Sequence, residues 1–364
     1  MASRGDRIIR IMSATRTWRI GFAGFGHVHR ALAALLLERR DELQARHGLV
    51  FVPTLLADRR RGAIVSGDGL DLAAGLREGW SQGPALDDVI DAAPIDLLFE
   101  ATPLDPRTGE PALTRLRRAL GRGVAVVSAN KGPLAFGAAE LLRLARDRKC
   151  GFRFESTVAD CLPVFDLFES VLPVGRLRRF EAVLNSTSNR VLHAVAQGIP
   201  LDEAVREAQR LGVAEANPSH DLDGWDHAVK GVIVANVLCG ENLRPADVER
   251  IPVSAVDLDW LRHEQERGKS VRLAVQGGRG ERIRVGPVAY SPGDFLATLG
   301  AGALGASFET ELAGTLRVAS ADSTVAQTAY GMLSDFVAIH HGRLFVPSPL
   351  LDGPAPAAAR PAPA

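Results

Sequence analysis

The stretch GVAEANPSHDLDGWDHAVK, residues 212–230, holds five charged residues at spacings that suit acid–base chemistry: Glu215, Asp221, Asp223, Asp226 and Lys230. Asp226 and Lys230 are four residues apart, which places both on one face of a helix. Glu215 and Asp221 precede them in the chain. Carboxylates beside a lysine at a helix entrance can hold the ammonium group of a zwitterion while the lysine moves a proton. The same spacing also fits a capped helix with an ordinary surface ion pair.

A second lysine, Lys131, ends the stretch VAVVSANK, whose first residues are typical of a buried parallel strand. Ligands of parallel sheets bind at the carboxyl ends of the strands. A lysine in an apolar crevice near another cation can exchange a proton near neutral pH. Hydride transfer to or from a nicotinamide needs such a partner for the hydroxyl proton. An exposed loop lysine is the alternative interpretation of Lys131.

The stretch GFAGFGHVHRAL, residues 21–32, has the spacing of a phosphate-binding turn, because Gly24-x-Gly26 follows an apolar run and opens a helical pattern. Gly24 permits a tight turn, and Gly26 lets the backbone approach a pyrophosphate at the helix N-terminus. The predicted dinucleotide-binding residues of the turn are Gly24, Phe25, Gly26, His27 and Val28. The third position of the fingerprint is His29 instead of glycine. We expect His29 to displace the helix slightly and to leave the phosphate contact intact.

The cofactor preference depends on the end of a second apolar stretch, LVFVPTLLAD, residues 49–58. Its last residue, Asp58, stands where an acid would bond the ribose 2′-hydroxyl of NAD. Arg59 and the two arginines after it would instead grip the 2′-phosphate of NADP. A solvated turn is a third interpretation. The sequence leaves NAD and NADP open, and the arginines favour NADP.

The elements that must position these residues alternate between apolar, strand-like runs and amphipathic, helical ones through the first 150 residues. This alternation predicts an α/β fold with a Rossmann-type parallel sheet and right-handed crossovers. After about residue 270 the pattern changes to short strands, which predicts a second domain of α+β type for catalysis and dimerisation. The predicted segments are a flexible N-terminus (1–17), a dinucleotide-binding domain (18–150), a substrate and dimerisation domain (151–319), a segment that packs back on the first domain (320–345) and a disordered tail (346–364).

The composition limits the partners. The 43 Lys and Arg residues balance the 43 Asp and Glu residues, which argues against binding to nucleic acid or to anionic membranes. The three cysteines have no metal-ligand spacing and suit a reducing cytoplasm. No apolar run has the length of a membrane span. The open sheet of the second domain predicts pairing with another copy of the chain.

Five blocks of the sequence, in order, resemble homoserine dehydrogenases over about residues 18–340. They are GFAGFGHV, VVSANKGPLA, FESTVADCLP, VLNSTSNRVL and AEANPSHDLDGWDHAVK. The last block follows the family's Ala-Glu-Ala-Asp-Pro-x-x-Asp-x-x-Gly-x-Asp-x-x-x-Lys, with Asn217 in place of one aspartate. The resemblance implies a monofunctional enzyme, without a C-terminal regulatory domain, that interconverts L-homoserine and L-aspartate 4-semialdehyde with NAD or NADP. It also implies a homodimer or homotetramer.

The resemblance assigns roles to individual residues. Lys230 would be the proton donor and acceptor, Lys131 its partner near the nicotinamide, and Asp226 the residue that orients Lys230. The implied substrate-binding residues are Glu215, Asp221, Asp226 and Lys230. The further implied cofactor-binding residues are Thr102, Ser128, Lys131 and Thr328. A monovalent cation, Na⁺ or K⁺, would bind Glu155 and the carbonyl groups of Val158, Asp160 and Leu162.

Two departures from the family pattern leave alternatives open. Three glycines of the cation loop are replaced by Ala159, Asp160 and Cys161, and the late glycine-rich turn is replaced by ASADSTVAQTA, residues 319–329. One alternative is a dehydrogenase of the same fold that acts on a different amino-acid-like alcohol. The other is a cofactor-binding sensor without turnover.

Overall fold

The computed structural model of the chain describes residues 15–211, 214, 217–345 and 348–351. Glu215 and most of the predicted N-terminal segment and tail lie outside the described residues. Within the described part, no helix combines the length and the apolar composition needed to cross a bilayer.

The first half of the chain folds around a six-stranded sheet with the order β3-β2-β1-β4-β5-β6. The strands are parallel apart from the β2–β3 hairpin. The elements are β1 (Arg16–Ala23), α1 (His27–Glu38), α2 (Arg40–Glu42), β2 (Leu49–Asp58), β3 (Gly62–Val65), α3 (Leu72–Arg77), α4 (Leu86–Val89), β4 (Leu97–Glu100), α5 (Ala112–Gly121), β5 (Ala125–Ser128), α6 (Lys131–Arg148) and β6 (Phe152–Arg153). The predicted Rossmann-type sheet is confirmed.

The order of the strands indicates where a ligand crevice is expected. The chain runs from β1 to β2 on one side and continues at β4 on the other side of β1. Open parallel sheets bind ligands where the strand order reverses in this way, outside the carboxyl ends of the strands. Beside this point, β4 (Leu97–Glu100) is buried along its whole length and β1 is buried over its last four residues, because helices cover both faces of the sheet.

The second half contains a second six-stranded sheet, with the order β12-β11-β7-β9-β10-β8. Its strand pairs are antiparallel except for β10 and β8. The elements are α7 (Ser156–Ala159), β7 (Leu177–Val183), α8 (Ser186–Ala196), α9 (Leu201–Arg210), α10 (Ser219–Leu222), α11 (Trp225–Val234), β8 (Glu249–Arg250), α12 (Leu258–Glu266), β9 (Ser270–Gly278), β10 (Arg284–Tyr290), β11 (Leu304–Thr310), β12 (Thr315–Ser320) and α13 (Val325–His340).

Two helices join the halves. α11 is apolar on almost every side, as Ala228, Val229 and Ile233 show by their complete burial, and it packs against both α6 and β9. α13 returns to the first sheet and packs against α1 and β5. There the ring of Phe336 lies edge-on to Trp18 and Phe99, with centroid distances of 5.8 and 5.5 Å.

The segment ends differ from the predicted boundaries. β1 begins at Arg16, inside the predicted flexible N-terminus, and β6 carries the first sheet beyond residue 150. Residues Pro349–Leu351, inside the predicted tail, form a 3₁₀ turn. Leu350 is buried there in the hydrophobic core, and Arg143 and Arg146 of α6 donate hydrogen bonds to the carbonyl groups of Leu350 and Leu351.

Candidate active site

The glycine turn connects β1 to α1 at the carboxyl edge of the first sheet. Gly24 has a φ of 84°, and a Cβ atom there would lie 3.1 Å from the carbonyl oxygen of Ala101, so the position requires glycine. At Gly26 an added Cβ would meet no atom within 4 Å. No side chain caps the N-terminus of α1, so its first amide groups are free for an anionic ligand. This turn therefore fits the pyrophosphate of a dinucleotide.

His29 is part of the turn's interior. The imidazole is completely buried, and Nδ1 forms a short hydrogen bond with the carbonyl oxygen of Gly24. Its ring packs edge-on against Phe22, with the centroids 5.3 Å apart. Burial lowers the pKa of His29 to about 4, so the ring is neutral and Nδ1 is the donor. His29 braces the turn from the core side, which is more than the helix displacement expected from the sequence.

A cavity of about 360 Å³ opens beside the turn and is lined by Gly24, Asp58, Arg59 and Thr102, all of them predicted cofactor residues. Its other lining residues are Ala57, Gly62, Ala85, Leu86, Asp87, Pro103, Pro111 and Arg115. Oδ1 of Asp58 accepts the backbone N–H groups of Arg60 and Arg61 at 2.7 and 2.6 Å. In the described part of the chain, Oδ2 of Asp58 takes part in no hydrogen bond. This Asp58 oxygen and the guanidinium group of Arg59 are therefore the charged groups available to a ribose or its phosphate.

The two lysines meet at one carboxylate. Asp226, in the first turn of α11, is 5% exposed. Its Oδ2 lies 2.8 Å from Nζ of Lys230, one helical turn further on, and its Oδ1 lies 3.4 Å from Nζ of Lys131, the first residue of α6. The fold thus brings Lys131, which follows β5, and Lys230, which belongs to the second domain, to the same carboxylate. Lys131 and Lys230 keep some exposure, which leaves room for a small molecule beside both.

The charge of Asp226 is fixed by its neighbours. Burial would raise the pKa of Asp226, but Lys230 and Lys131 outweigh burial and hold that pKa well below its usual range. The pKa of Asp221 is raised, first by burial and then by the negative charge of Asp226. The site is therefore two ammonium groups around one permanent carboxylate, with a second acid nearby.

Asn185 connects the two acids. Its Nδ2 donates to Oδ1 of Asp221 at 2.8 Å and to Oδ2 of Asp226 at 2.9 Å. Its Oδ1 accepts the N–H group of Ser188 and caps α8. Sequence reasoning did not place Asn185 in the site. The signals in the sequence were its place in the block VLNSTSNRVL and a helix-capping position shortly after a strand, and neither assigned Asn185 to the substrate or the lysines.

The backbone at the end of β7 positions Lys230. Nζ of Lys230 donates to the carbonyl oxygen of Leu184 at 2.5 Å, and the N–H group of Leu184 donates to Nε2 of His227 at 3.3 Å. His227 is completely buried, and burial lowers its pKa to about 4, so it remains a neutral acceptor. The backbone of one residue, Leu184, therefore contacts both His227, through its N–H group, and Lys230, through its carbonyl group.

Two predicted cofactor residues use their hydroxyl groups within the protein. Ser128 Oγ donates to the carbonyl oxygen of Asn130 at 3.2 Å. Thr328 Oγ1 donates to Oδ1 of Asp160 at 2.8 Å. Phe25 turns its ring into the core against Phe22, so its backbone is the part that faces the turn.

The predicted cation loop is bonded internally. The carboxylate of Glu155 accepts three backbone N–H groups, those of residues 164–166, at 2.6 to 2.9 Å. The carbonyl oxygen of Leu162 accepts the N–H group of Val164 at 2.8 Å. Asp160 has a φ of 55°, where glycine would be unstrained. The Glu155 carboxylate and the Leu162 carbonyl oxygen thus accept hydrogen bonds within the loop, and no three His, Cys, Asp or Glu side chains of the described residues form a metal site.

The fold and the site define a class of protein. A Rossmann-type sheet with a glycine turn at an uncapped helix, next to a lysine–carboxylate cluster at the sheet edge, is the arrangement of a nicotinamide-dinucleotide-dependent dehydrogenase.

Comparison with known proteins specifies the family. The family model for homoserine dehydrogenase matches residues 163–337. The chain is 36% identical to the NAD(+)-dependent homoserine dehydrogenase of Pseudomonas canavaninivorans, over 89% of this chain and 96% of that one. It is 31% identical to the homoserine dehydrogenase of Methanocaldococcus jannaschii, over 87% and 97% of the two chains. This chain therefore belongs to the homoserine dehydrogenase family.

Solved structures agree with this assignment. A hyperthermophilic archaeal homoserine dehydrogenase in complex with NADPH is similar, with a TM-score of 0.76 and 27% identity over 89% of this chain and 98% of that one. The homoserine dehydrogenase of Thermoplasma acidophilum gives a TM-score of 0.74 and 25% identity over 90% and 100% of the two chains.

Proposed function

We propose that this protein is an NAD(P)-dependent oxidoreductase that interconverts L-homoserine and L-aspartate 4-semialdehyde. The observation that carries the proposal is the contact of Lys131 and Lys230 with the two oxygens of Asp226. This cluster belongs to a chain of the homoserine dehydrogenase family and lies at the carboxyl edge of its dinucleotide-binding sheet.

Lys230 is proposed to move the hydroxyl proton. When bound, the dinucleotide accepts or supplies the hydride. Lys230 donates one hydrogen to Asp226 and one to the carbonyl oxygen of Leu184, so its third hydrogen is available to the substrate oxygen. In aldehyde reduction this hydrogen goes to the carbonyl oxygen, and in alcohol oxidation the hydroxyl proton goes to the neutral amine. Lys131 is proposed to orient the same oxygen from the cofactor side.

The acids are proposed to hold the amino group of the substrate. Asp221 uses Oδ1 for Asn185, and within the described residues its Oδ2 takes part in no hydrogen bond, so this oxygen is proposed to accept from the ammonium group. Glu215, outside the described residues, stays a predicted ligand of the same ammonium group. The proposed dinucleotide ligands are the glycine turn, Asp58, Arg59 and Thr102, with Ser128 and Thr328 as further predicted contacts.

We propose a homodimer or homotetramer in the cytoplasm, built on the second sheet, whose edge strand β12 contains no fully buried residue. A monovalent cation at Glu155, Val158, Asp160 and Leu162 stays a prediction. No catalytic step is derived from it, because the loop already satisfies Glu155 and Leu162.

A substrate screen tests the proposed function. Purified protein with L-homoserine and either NAD⁺ or NADP⁺ should increase the absorbance of the reduced nicotinamide, at a rate that saturates with the homoserine concentration. The semialdehyde should be the product. The reverse assay with the semialdehyde should consume NADH or NADPH. Turnover of a different amino-acid-like alcohol, with none of homoserine, would replace the substrate. Dinucleotide binding without any turnover would indicate a sensor.

A further inference from the structure

A carboxyl group that the proposed chemistry does not use lies under the cofactor cavity. Glu100 is the last residue of β4 and is completely buried. In the sheet it pairs with Ala23, just before the glycine turn, and with Ser128, just before the Lys131 segment. Glu100 therefore occupies the strand end between the two segments that must meet the cofactor and the substrate.

One oxygen of Glu100 accepts hydrogen bonds from the loop that follows β4 and from the Lys131 segment. Oε1 accepts the N–H group of Thr102 at 2.8 Å and, in a short hydrogen bond, the hydroxyl group of Thr102. It also accepts from Nδ2 of Asn130 at 3.4 Å, and Nδ2 in turn lies 3.2 Å from Oγ1 of Thr102. The three side chains form one buried network.

Each arm of the network ends in the proposed site. Thr102 lines the cavity together with Gly24, and its Cγ2 would lie 3.1 Å from a Cβ atom at Gly24. Oδ1 of Asn130 accepts the N–H group of Gly132 at 2.9 Å and so caps α6, which begins with Lys131. Displacing Glu100 would therefore shift the cofactor wall and the lysine together.

The burial of Glu100 is unfavourable for folding, and this points to a role beyond packing. Among the described residues, Oε2 of Glu100 is buried without a hydrogen-bond partner. Burial raises the pKa of Glu100. A leucine would fill the same core position without either cost. Groups that are retained at such a cost concentrate at functional sites.

We propose that Glu100 is a positioning residue of the dinucleotide site, which holds Thr102 against the glycine turn and Asn130 at the start of the Lys131 helix. The inference rests on the proposed function, because it takes the cavity beside Gly24 to be the dinucleotide site.

Titration of the ligand-free protein with NAD⁺ and NADP⁺ in a calorimeter tests the proposal. Glu100→Leu should raise the dissociation constant of the preferred dinucleotide about tenfold, and Glu100→Gln, which keeps one acceptor, should raise it less. At saturating cofactor, kcat of Glu100→Leu should fall about tenfold or more, because Lys131 is displaced. The matched control is Thr54→Val, which removes a buried hydroxyl group that bonds Pro94 within the same sheet. It should lower the melting temperature without changing either constant.

A double-mutant cycle separates positioning from general packing. Glu100→Gln weakens the hydrogen bond that the Thr102 hydroxyl group donates, because an amide oxygen is a weaker acceptor than a carboxylate, and Thr102→Val removes the same bond. The double variant should therefore bind the dinucleotide at most about twofold more weakly than whichever single variant binds it less tightly. If Glu100→Leu does not fold, the cycle still tests the proposal, because it does not use that variant. Three results would overturn the proposal: binding within twofold of wild type in folded Glu100→Leu, equal weakening in Thr54→Val, or additive effects in the cycle.

The outcome is distinguishable from failure of the proposed function. Weakened dinucleotide binding in the Glu100 variants, with no turnover of homoserine by the wild type, would support the positioning role and reject the substrate. A wild-type protein that binds neither dinucleotide would reject both.

Discussion

The side-chain amide of Asn185 donates a hydrogen bond to Oδ2 of Asp226 at 2.9 Å, and this same oxygen accepts from Lys230. The second amide hydrogen goes to Asp221. A neutral residue thus stands between two acids and fixes the carboxylate on which both lysines converge. The geometry of Lys230, the proposed proton carrier, therefore depends on Asn185 as well as on the charged residues.

Replacing Asn185 by aspartate should be strongly unfavourable. Asn185→Asp removes both amide donors and places a third acid beside Asp221 and Asp226. We expect the free energy of unfolding at pH 7 to fall by about 2–4 kcal/mol and kcat/KM to fall about tenfold or more. Chemical denaturation and initial rates measure the two effects. The exposed Asn242→Asp is the matched control, and wild-type stability in Asn185→Asp would contradict the described network.

Removal of the Lys230 amine should abolish proton transfer and leave the cofactor bound. Lys230→Ala should lower kcat by about two orders of magnitude or more, while the dissociation constant of the dinucleotide stays within about twofold. Steady-state kinetics and calorimetric titration check the two parts. Lys269→Ala, which removes a lysine paired with Glu264 away from the cluster, should keep its rate. A near-normal rate in Lys230→Ala would remove this lysine from the mechanism.

Replacing His29 by the glycine of the dinucleotide-binding fingerprint should damage the turn. His29→Gly deletes the hydrogen bond to the Gly24 carbonyl group and leaves a cavity between Phe22 and Phe99. We expect a loss of about 2–4 kcal/mol in the free energy of unfolding, together with weaker dinucleotide binding. Denaturation and calorimetry measure both. Equal or tighter cofactor binding in a stable variant would restore the simpler view, in which His29 only displaces the helix.

The two buried histidines predict a loss of stability in acid. Burial lowers the pKa values of His29 and His227 from 6.5 to about 4. Between these two pH values the unfolded chain binds protons that the folded chain does not, so stability falls as the pH falls from 6.5 towards 4. From pH 7 to pH 5 each histidine should contribute a loss of about 2 kcal/mol.

Urea denaturation at several pH values measures this slope. His227→Gln, which keeps an acceptor for the Leu184 N–H group, should flatten the curve below pH 6.5 relative to wild type. Parallel curves for the two proteins would show that His227 does not titrate in this window.

Two charged residues of the cavity should set the cofactor preference. Arg59→Ala should raise the KM for NADP⁺ and change the KM for NAD⁺ little, because only the former carries a 2′-phosphate. Asp58→Asn should raise the KM for NAD⁺, since its free Oδ2 is the proposed partner of the ribose hydroxyl groups. The ratio of the two kcat/KM values is the measurement. Unchanged ratios in both variants would place the ribose elsewhere.

Much of the fold follows from short-range sequence patterns. The glycine turn after β1 and the shared helix face of Asp226 and Lys230 were both predictable, because helix and strand periods fix which nearby residues share a face. The departures from the predicted boundaries at Arg16, Arg153 and Leu350 depend on distant partners, such as the Arg143 and Arg146 side chains for the last turn.

The sequence by itself determined the class of sheet, the phosphate-binding turn and the acid–lysine pair of one helix, because each depends on residues within a few positions of one another. Only the tertiary structure decided that Lys131 shares the Asp226 carboxylate, that Asn185 bridges two acids, that Glu100 lies between two strand ends and that His29 turns inward to the Gly24 carbonyl group. The first three contacts join segments far apart in the chain, and the last depends on the shape of the surrounding core. Contacts of both kinds are set by how the crossovers bring strand ends together and how helices pack over them, which local periodicity does not specify.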